Sequence, residues 1–154
     1  MSNYTIDVNG YAHTVLCDID FTKSFSVEDL TDRIESLREE LDDLASEGLD
    51  DYDEFCEGLL PDDNGWSELC ELRALEEVLN ELEGEGGDYE WKGKWYPQEA
   101  IHENDFEKRM DDMVENCYDF GKNLPSWVSF TVDYEALKQD YKSHSFEDNL
   151  FFVR

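Results

Sequence analysis

The stretch from Glu28 to Glu90 is strongly acidic and is at the same time patterned like folded helix. It carries 25 Asp and Glu residues against three bases, Arg33, Arg38 and Arg73. Disordered acidic tails are depleted in large apolar residues, whereas leucine recurs through this stretch at steps of three and four. Such a chain can fold only with its leucines packed inside and its carboxylates at the surface. Because fixed like charges repel one another and cost stability, we expect this surface to serve a partner.

The rest of the composition is that of a folded protein. The 154-residue chain has a formal net charge of −29, yet 40% of its residues are hydrophobic and 14% are aromatic, which is enough for the core of a domain. The first residues, MSNYTIDVNG, lack the basic start and the apolar run of a signal peptide. No apolar run approaches the roughly 18 residues of a membrane span. We therefore expect a cytoplasmic protein that makes no membrane contact.

The pattern of apolar residues predicts an α+β fold that opens with a β-hairpin. Apolar and polar residues alternate from Tyr4 to Val8 and again from Tyr11 to Ile19, with Asn9-Gly10 between the two runs. Asn-Gly at this place is typical of a hairpin turn, because both turn positions need positive φ.

Three acidic helices are predicted next. Ser26 has the position of an N-cap, and apolar residues then step by three and four until Gly48 ends the helix. A second helix is expected from Asp51 to Glu57. A third is expected from Trp66 to Leu82, where leucines again mark the buried side.

The C-terminal part is predicted to contain a further helical segment and a closing β-hairpin. Residues 91–96 read as a strand or a tight loop. Asn104 and Glu107 form a capping box for a helix that ends at Gly121, and Asp133 caps a short helix. The hairpin joins residues 143–146 to residues 150–153.

Gly84, Gly86 and Gly87 mark the place where the chain is most easily divided. Residues 1–154 are predicted to form a single acidic α+β unit. A split near 84–88 would separate an acidic part made of the hairpin and three helices, 1–83, from a C-terminal part, 89–154.

The four cysteines, Cys17, Cys56, Cys70 and Cys117, form no CxxC pair. Cys70 and Cys117 fall on the apolar faces of predicted helices, where free cysteine behaves as a small hydrophobic residue. We interpret the cysteines as core residues, with a disulfide or a metal site as the alternative.

The first predicted helix carries nine carboxylates, from Glu28 to Glu47, over about 30 Å. One strand of B-DNA places about nine phosphates over that length, so the linear charge density of the helix is comparable. The alternative is an acidic face that only aids solubility, although ordinary surfaces intersperse both signs. The candidate partner-binding residues continue through the second and third helices: Asp32, Glu35, Glu39, Glu40, Asp42, Asp43, Glu47, Asp50, Asp51, Asp53, Glu54, Glu57, Glu68, Glu71, Glu76, Glu77, Glu81 and Glu83.

Enzyme motifs receive little support from the sequence. His13, His102 and His144 show no zinc-binding spacing, and neither a G-x-S-x-G motif nor a P-loop is present. The acidic turn that ends at Gly65 places Leu60 where an EF-hand needs its first ligand. With 41 acidic residues, no pair of carboxylates can be singled out as a glycosidase acid and base. We therefore predict no enzymatic activity, no cofactor and no metal.

One formal match belongs to metal-dependent nucleases, which use a P-D…E-x-K pattern. Pro61-Asp62 and Glu90-Trp91-Lys92 satisfy that loose spacing. Such a match arises easily by chance in an acidic chain, and this chain would repel its own DNA substrate. We interpret the match as coincidental.

The C-terminal third resembles the end of ArdA-type antirestriction proteins. The similarity covers about Glu103 to Arg154 and rests on short motifs: Tyr118-Asp119-Phe120-Gly121, Leu124-Pro125-Ser126-Trp127, Val132-Asp133-Tyr134-Glu135-Ala136, Gln139-Asp140-Tyr141 and Phe152-Val153-Arg154. The resemblance implies an elongated acidic protein that mimics duplex DNA, dimerises and occupies the DNA-binding groove of a type I restriction–modification enzyme. The most acidic block lies outside the similar region.

Charge pattern and resemblance together predict a DNA mimic from a phage or mobile element. Its partner would be the basic DNA-binding groove of a bacterial defence enzyme, either a restriction–modification enzyme or a CRISPR effector. The protein itself would not bind nucleic acid, and it could form a homodimer. Two alternatives remain: an immunity protein that neutralises a basic toxin nuclease, and an acidic chaperone of basic DNA-binding proteins.

Overall fold

The structure is a computed structural model that describes residues 2–84, 87–118 and 133–153, and the side chains of these residues outside 114–118. Helices and antiparallel strands both contribute, so the predicted α+β class is confirmed. The chain opens with a hairpin, continues with three helices and closes with another hairpin, in the predicted order.

The N-terminal hairpin pairs β1 (Ser2–Val8) with β2 (Tyr11–Cys17) and confirms the predicted turn. Asn9 and Gly10 have φ values of 51° and 88°, the left-handed conformation that this two-residue turn requires. β2 ends at Cys17, which pairs with Ser2, two residues before the predicted Ile19. The Asp18 amide that follows donates to a Glu71 carboxylate oxygen.

The three acidic helices are α1 (Val27–Glu47), α2 (Tyr52–Gly58) and α3 (Trp66–Leu82). Both ends of α3 match the prediction, and α2 is displaced by one residue. Ser26 and Gly48 flank α1 as expected, although the Ser26 side chain makes no capping hydrogen bond. The left-handed residue after α1 is Leu49, with φ 58°, and not Gly48.

The C-terminal half forms small antiparallel sheets around a fourth helix. β3 (Phe25–Ser26), β6 (Glu99–His102), β8 (Asn149–Val153) and β7 (Lys142–Phe146) pair in that order. β4 (Tyr89–Trp91) and β5 (Lys94–Tyr96) form a separate hairpin. α4 (Glu103–Tyr118) follows β6, and α5 (Tyr134–Lys138) begins after Asp133, which caps it as predicted.

The predicted capping box at Asn104 and Glu107 is wrong, because α4 already begins at Glu103. The Asn104 amide donates to Nδ1 of His102, at 3.1 Å. His102 is only 2% exposed, and its Nε2 lies 2.9 Å from Oδ1 of Asn149. The buried His102 ring therefore accepts the hydrogen bond of one backbone amide that has no partner within the first turn of α4. The predicted end of this helix at Gly121 lies outside the described residues.

One hydrophobic cluster joins the N-terminal hairpin, α1 and α3 to the closing hairpin. It contains Val15, Leu37 and Leu75 together with Phe146 and Phe151. Phe106 and Met110 of α4 form a smaller cluster with Phe152. α1 and α3 run in the same direction, since two ion pairs between them, Arg33–Glu71 and Arg38–Glu76, span the same sequence interval of 38 residues.

The described cysteines belong to the core. Cys17, Cys56 and Cys70 are buried and free, so the core interpretation is confirmed for these three. The side chain of Cys117 lies outside the described part. Burial raises the pKa of the Cys17 thiol to about 12 and that of the Cys70 thiol to about 11, because desolvation disfavours the thiolate.

These buried thiols predict a loss of stability at alkaline pH. Below about pH 9 each thiol is protonated in both the folded and the unfolded protein, and its contribution to stability is complete. Above that pH the thiol ionises in the unfolded protein first, so the contribution is lost as the pH rises toward the pKa of the folded state. We expect the free energy of unfolding to fall between about pH 9 and pH 12, by up to about 1.4 kcal/mol per pH unit for each such group. Urea titrations at several pH values measure this fall. A Cys17→Ala variant should show a shallower decline, and equal slopes for variant and wild type would contradict the assignment.

Candidate partner-binding surface

α1 separates an apolar face from an acidic face along its whole length. Leu30, Ile34, Leu37 and Leu41 are fully buried and recur at steps of three and four, so they line one side of the helix. The carboxylates of α1 occupy the opposite side and are all exposed. The helix has 21 residues, which corresponds to about 30 Å of acidic surface.

The exposed carboxylates continue without a base from the end of α1 into α2. We name this surface the acidic ridge. It consists of Glu28, Asp29, Asp32, Glu35, Glu39, Glu40, Asp42, Asp43, Glu47, Asp50, Asp51, Asp53, Glu54 and Glu57.

The two arginines of α1 are directed toward α3 and away from the acidic ridge. Arg33 donates from Nε and Nη2 to the two carboxylate oxygens of Glu71, at 2.8 and 2.9 Å. This hydrogen bonding raises the pKa of the Arg33 guanidinium. Arg38 donates to Glu76 at 3.0 Å, and Arg73 of α3 donates to the same carboxylate at 2.9 Å. The two arginines of α1 and Arg73 of α3 therefore already have internal carboxylate partners.

Three candidate carboxylates, two in α3 and one at its C-terminal cap, already have partners within the protein. Glu71 is only 6% exposed and also accepts the Asp18 amide, at 3.1 Å. Glu76 is shared by two arginines, and Glu83 pairs with Lys94 at 3.2 Å. Unpaired acidic residues and acidic residues in internal ion pairs look alike in sequence, so the pattern could not separate them. We leave these three out of the proposed surface.

The remaining α3 candidates lie at two different places. Glu68 is half-buried and borders a depression that also contains Glu40 of the acidic ridge. Glu77 and Glu81 are exposed and line a groove beside β1. The candidates from Asp32 to Glu57 are therefore all exposed along α1, α2 and the link between them, and Glu68 shares a depression with Glu40.

The β4–β5 hairpin supports one flank of α1, a contact that the sequence did not reveal. Tyr89 and Thr31 are joined through their hydroxyl groups at 2.7 Å, and Trp91 Nε1 donates to Glu35 at 3.1 Å. Arg38 and Lys92 lie over the Trp91 ring, with their charged groups 5.6 and 4.8 Å from its centre. The aromatic and basic composition of the β4–β5 hairpin was the sequence feature that could have indicated this contact with an acidic helix. The hairpin holds α1 in place through direct side-chain contacts.

Candidate metal ligands are dispersed in the described part of the chain. No group of three or more His, Cys, Asp and Glu side chains is arranged to hold a metal ion there. Asp62 of the nuclease-like match lies in an exposed turn with φ 74°, and Glu90 lies in β4. Among these residues, no helix is long and apolar enough to cross a membrane.

No protein-family model matches this chain, and no curated protein or solved structure is significantly similar to it. The resemblance of residues 103–154 to ArdA-type proteins stays a prediction. Its motifs between residues 119 and 132 lie outside the described residues.

Proposed function

We propose that this protein is a non-enzymatic DNA mimic that occupies the DNA-binding groove of a bacterial defence enzyme in the cytoplasm. The observation that carries the proposal is the acidic ridge with its arginines directed inward. An ordinary acidic helix is neutralised partly by bases on its own surface. Here Arg33 and Arg38 bind carboxylates of α3, and the outer carboxylates keep their charge for a partner.

The spacing of these charges suits a groove built for phosphates. A basic groove places Lys and Arg side chains where the DNA backbone passes, at intervals of about 3.4 Å per strand along the axis. α1 offers nine exposed carboxylates over about 30 Å. Arginine binds carboxylate and phosphate with the same bidentate geometry, so the residues that hold DNA can also hold the acidic ridge.

The scaffold limits the entropic cost of binding. α1 is fixed to α3 by its buried leucines and by two ion pairs, and the β4–β5 hairpin contacts it from the side. A surface held in its bound conformation loses less freedom on association than a disordered acidic tail does. This rigidity favours a mimic that competes with DNA over a flexible acidic chaperone.

The rate of association with a defence enzyme tests the proposal. A panel of purified restriction–modification enzymes and CRISPR effectors is first screened for loss of DNA cleavage, and the rate is then measured with the inhibited enzyme. We expect the rate to fall roughly tenfold or more between about 50 and 200 mM salt, because long-range attraction is screened. An association rate that does not depend on salt would contradict the mimic.

Two other outcomes would indicate the alternative functions. Binding to many basic proteins without inhibition would indicate a chaperone, and inhibition of one toxin nuclease would indicate an immunity protein.

A further inference from the structure

The outer edge of β1 presents backbone groups that no strand in the described part of the chain pairs with. Val8 faces Tyr11 across the two-residue turn, and hydrogen-bonded pairs alternate along an antiparallel ladder. The amides of Thr5 and Asp7 therefore point away from β2. The Thr5 amide confirms this direction, because it donates to Oε1 of Glu147, at 3.1 Å. A side-chain oxygen occupies the place where a neighbouring strand would put its carbonyl.

A groove of about 810 Å³ runs between this edge and α3. Thr5, Asp7 and Asn9 line its strand side, and Glu77, Asn80 and Glu81 are among the residues that line its helix side. No residue of the groove belongs to the acidic ridge. A strand edge beside a helix is the arrangement in which extended peptides bind by β-strand addition.

The charges of the groove select the occupant. Asp7, Glu77 and Glu81 are exposed and acidic. Arg73 is the base on the groove wall, and its guanidinium is already paired with Glu76. Backbone pairing alone would accept any extended chain, whereas Glu77 and Glu81 on the α3 side favour Lys and Arg at alternate positions.

We propose that this groove binds an extended basic segment of a partner protein as a third strand beside β1. The segment exchanges backbone hydrogen bonds with Asp7 and Thr5, and its basic side chains reach Glu77 and Glu81. Glu147 leaves the Thr5 amide when the strand is added. Addition of a strand is favourable because it pairs the outward backbone groups of β1, which no strand in the described part of the chain covers. The proposal does not depend on the DNA-mimic function.

A labelled peptide of alternating lysine and threonine, about nine residues long, is the probe. At about 150 mM salt, we expect it to bind and to slow amide hydrogen exchange at Thr5 and Asp7. A peptide with the same charges but N-methyl groups along one edge should bind roughly tenfold more weakly, because it cannot pair with a strand. Equal affinity of the two peptides, or protection confined to amides of the acidic ridge, would overturn the proposal.

Two substitutions at one position separate pairing from charge. Asp7→Ala removes the carboxylate and keeps the outward amide, whereas Asp7→Pro removes both and leaves the β1–β2 ladder intact, since proline is tolerated where the amide faces away from the sheet. Affinity for the probe should fall several-fold further in Asp7→Pro than in Asp7→Ala. Equal affinities in two folded variants would overturn the proposal. If Asp7→Pro fails to fold, the comparison of the probe with its N-methylated form on the wild-type protein is the deciding test.

Discussion

We expect that neutralising four carboxylates of the acidic ridge together, by Glu39→Gln, Asp42→Asn, Asp43→Asn and Glu47→Gln, abolishes the proposed inhibition at concentrations where the wild type should inhibit fully. All four side chains are exposed, and each ion pair with a groove is worth up to about 1 kcal/mol. The combined loss is therefore up to about 4 kcal/mol, which corresponds to nearly 1,000-fold in affinity. The melting temperature should hold or rise, because mutual repulsion decreases.

A control with the same change in charge distinguishes location from net charge. Glu107, Asp112, Asp140 and Asp148 are exposed and lie outside the acidic ridge, and their amide variants should inhibit nearly as well as the wild type. Inhibition curves for the two quadruple variants give the comparison. Equal losses would show that only net charge matters. Complete loss from one ridge substitution would indicate a single dominant contact in place of a distributed mimic.

We expect replacement of Glu71 by alanine to destabilise the fold more than any change on the acidic ridge. The substitution removes a nearly buried carboxylate that accepts hydrogen bonds from Nε and Nη2 of Arg33 and from the Asp18 amide. An unpaired, partly buried guanidinium and an unsatisfied amide together cost about 2–3 kcal/mol. For a domain of this size, this cost lowers the melting temperature by roughly 5–10 °C.

Glu68→Ala serves as the matched control, since Glu68 lies on the same helix, is half-buried and has no ion pair in the described part of the chain. Thermal unfolding of both variants should show a shift of at most about 2 °C for Glu68→Ala. Comparable shifts would mean that the Arg33–Glu71 pair adds nothing beyond helix propensity.

Periodicity predicted the long elements because it reports on burial along a single helix or hairpin. The leucines of α3 placed both of its ends at Trp66 and Leu82. The short strands β3 and β6 were not predicted, because two to four residues are too few to show an alternation of apolar and polar residues. Their pairing, Phe25 with Ala100, depends on tertiary contacts that join distant parts of the chain.

The residues of the acidic ridge were predictable from sequence. Which carboxylates of α3 form internal ion pairs was not. Pairing depends on which helix faces which, and the order α1, α2, α3 does not determine that α1 and α3 run in parallel. One signal was present in retrospect. Arg33 and Arg38 have the same spacing as Glu71 and Glu76, as two ion pairs between parallel helices require.

Simultaneous binding is the most direct measurement of the proposed mimicry. A labelled DNA duplex is first bound to the inhibited defence enzyme, and the protein is then added while the polarisation of the DNA and the mass of the complex are followed. Mimicry predicts that the duplex is released in proportion to the protein bound, and that the protein alone leaves the polarisation of free DNA unchanged. A stable ternary complex of enzyme, DNA and protein, in which the enzyme is still inhibited, would contradict it.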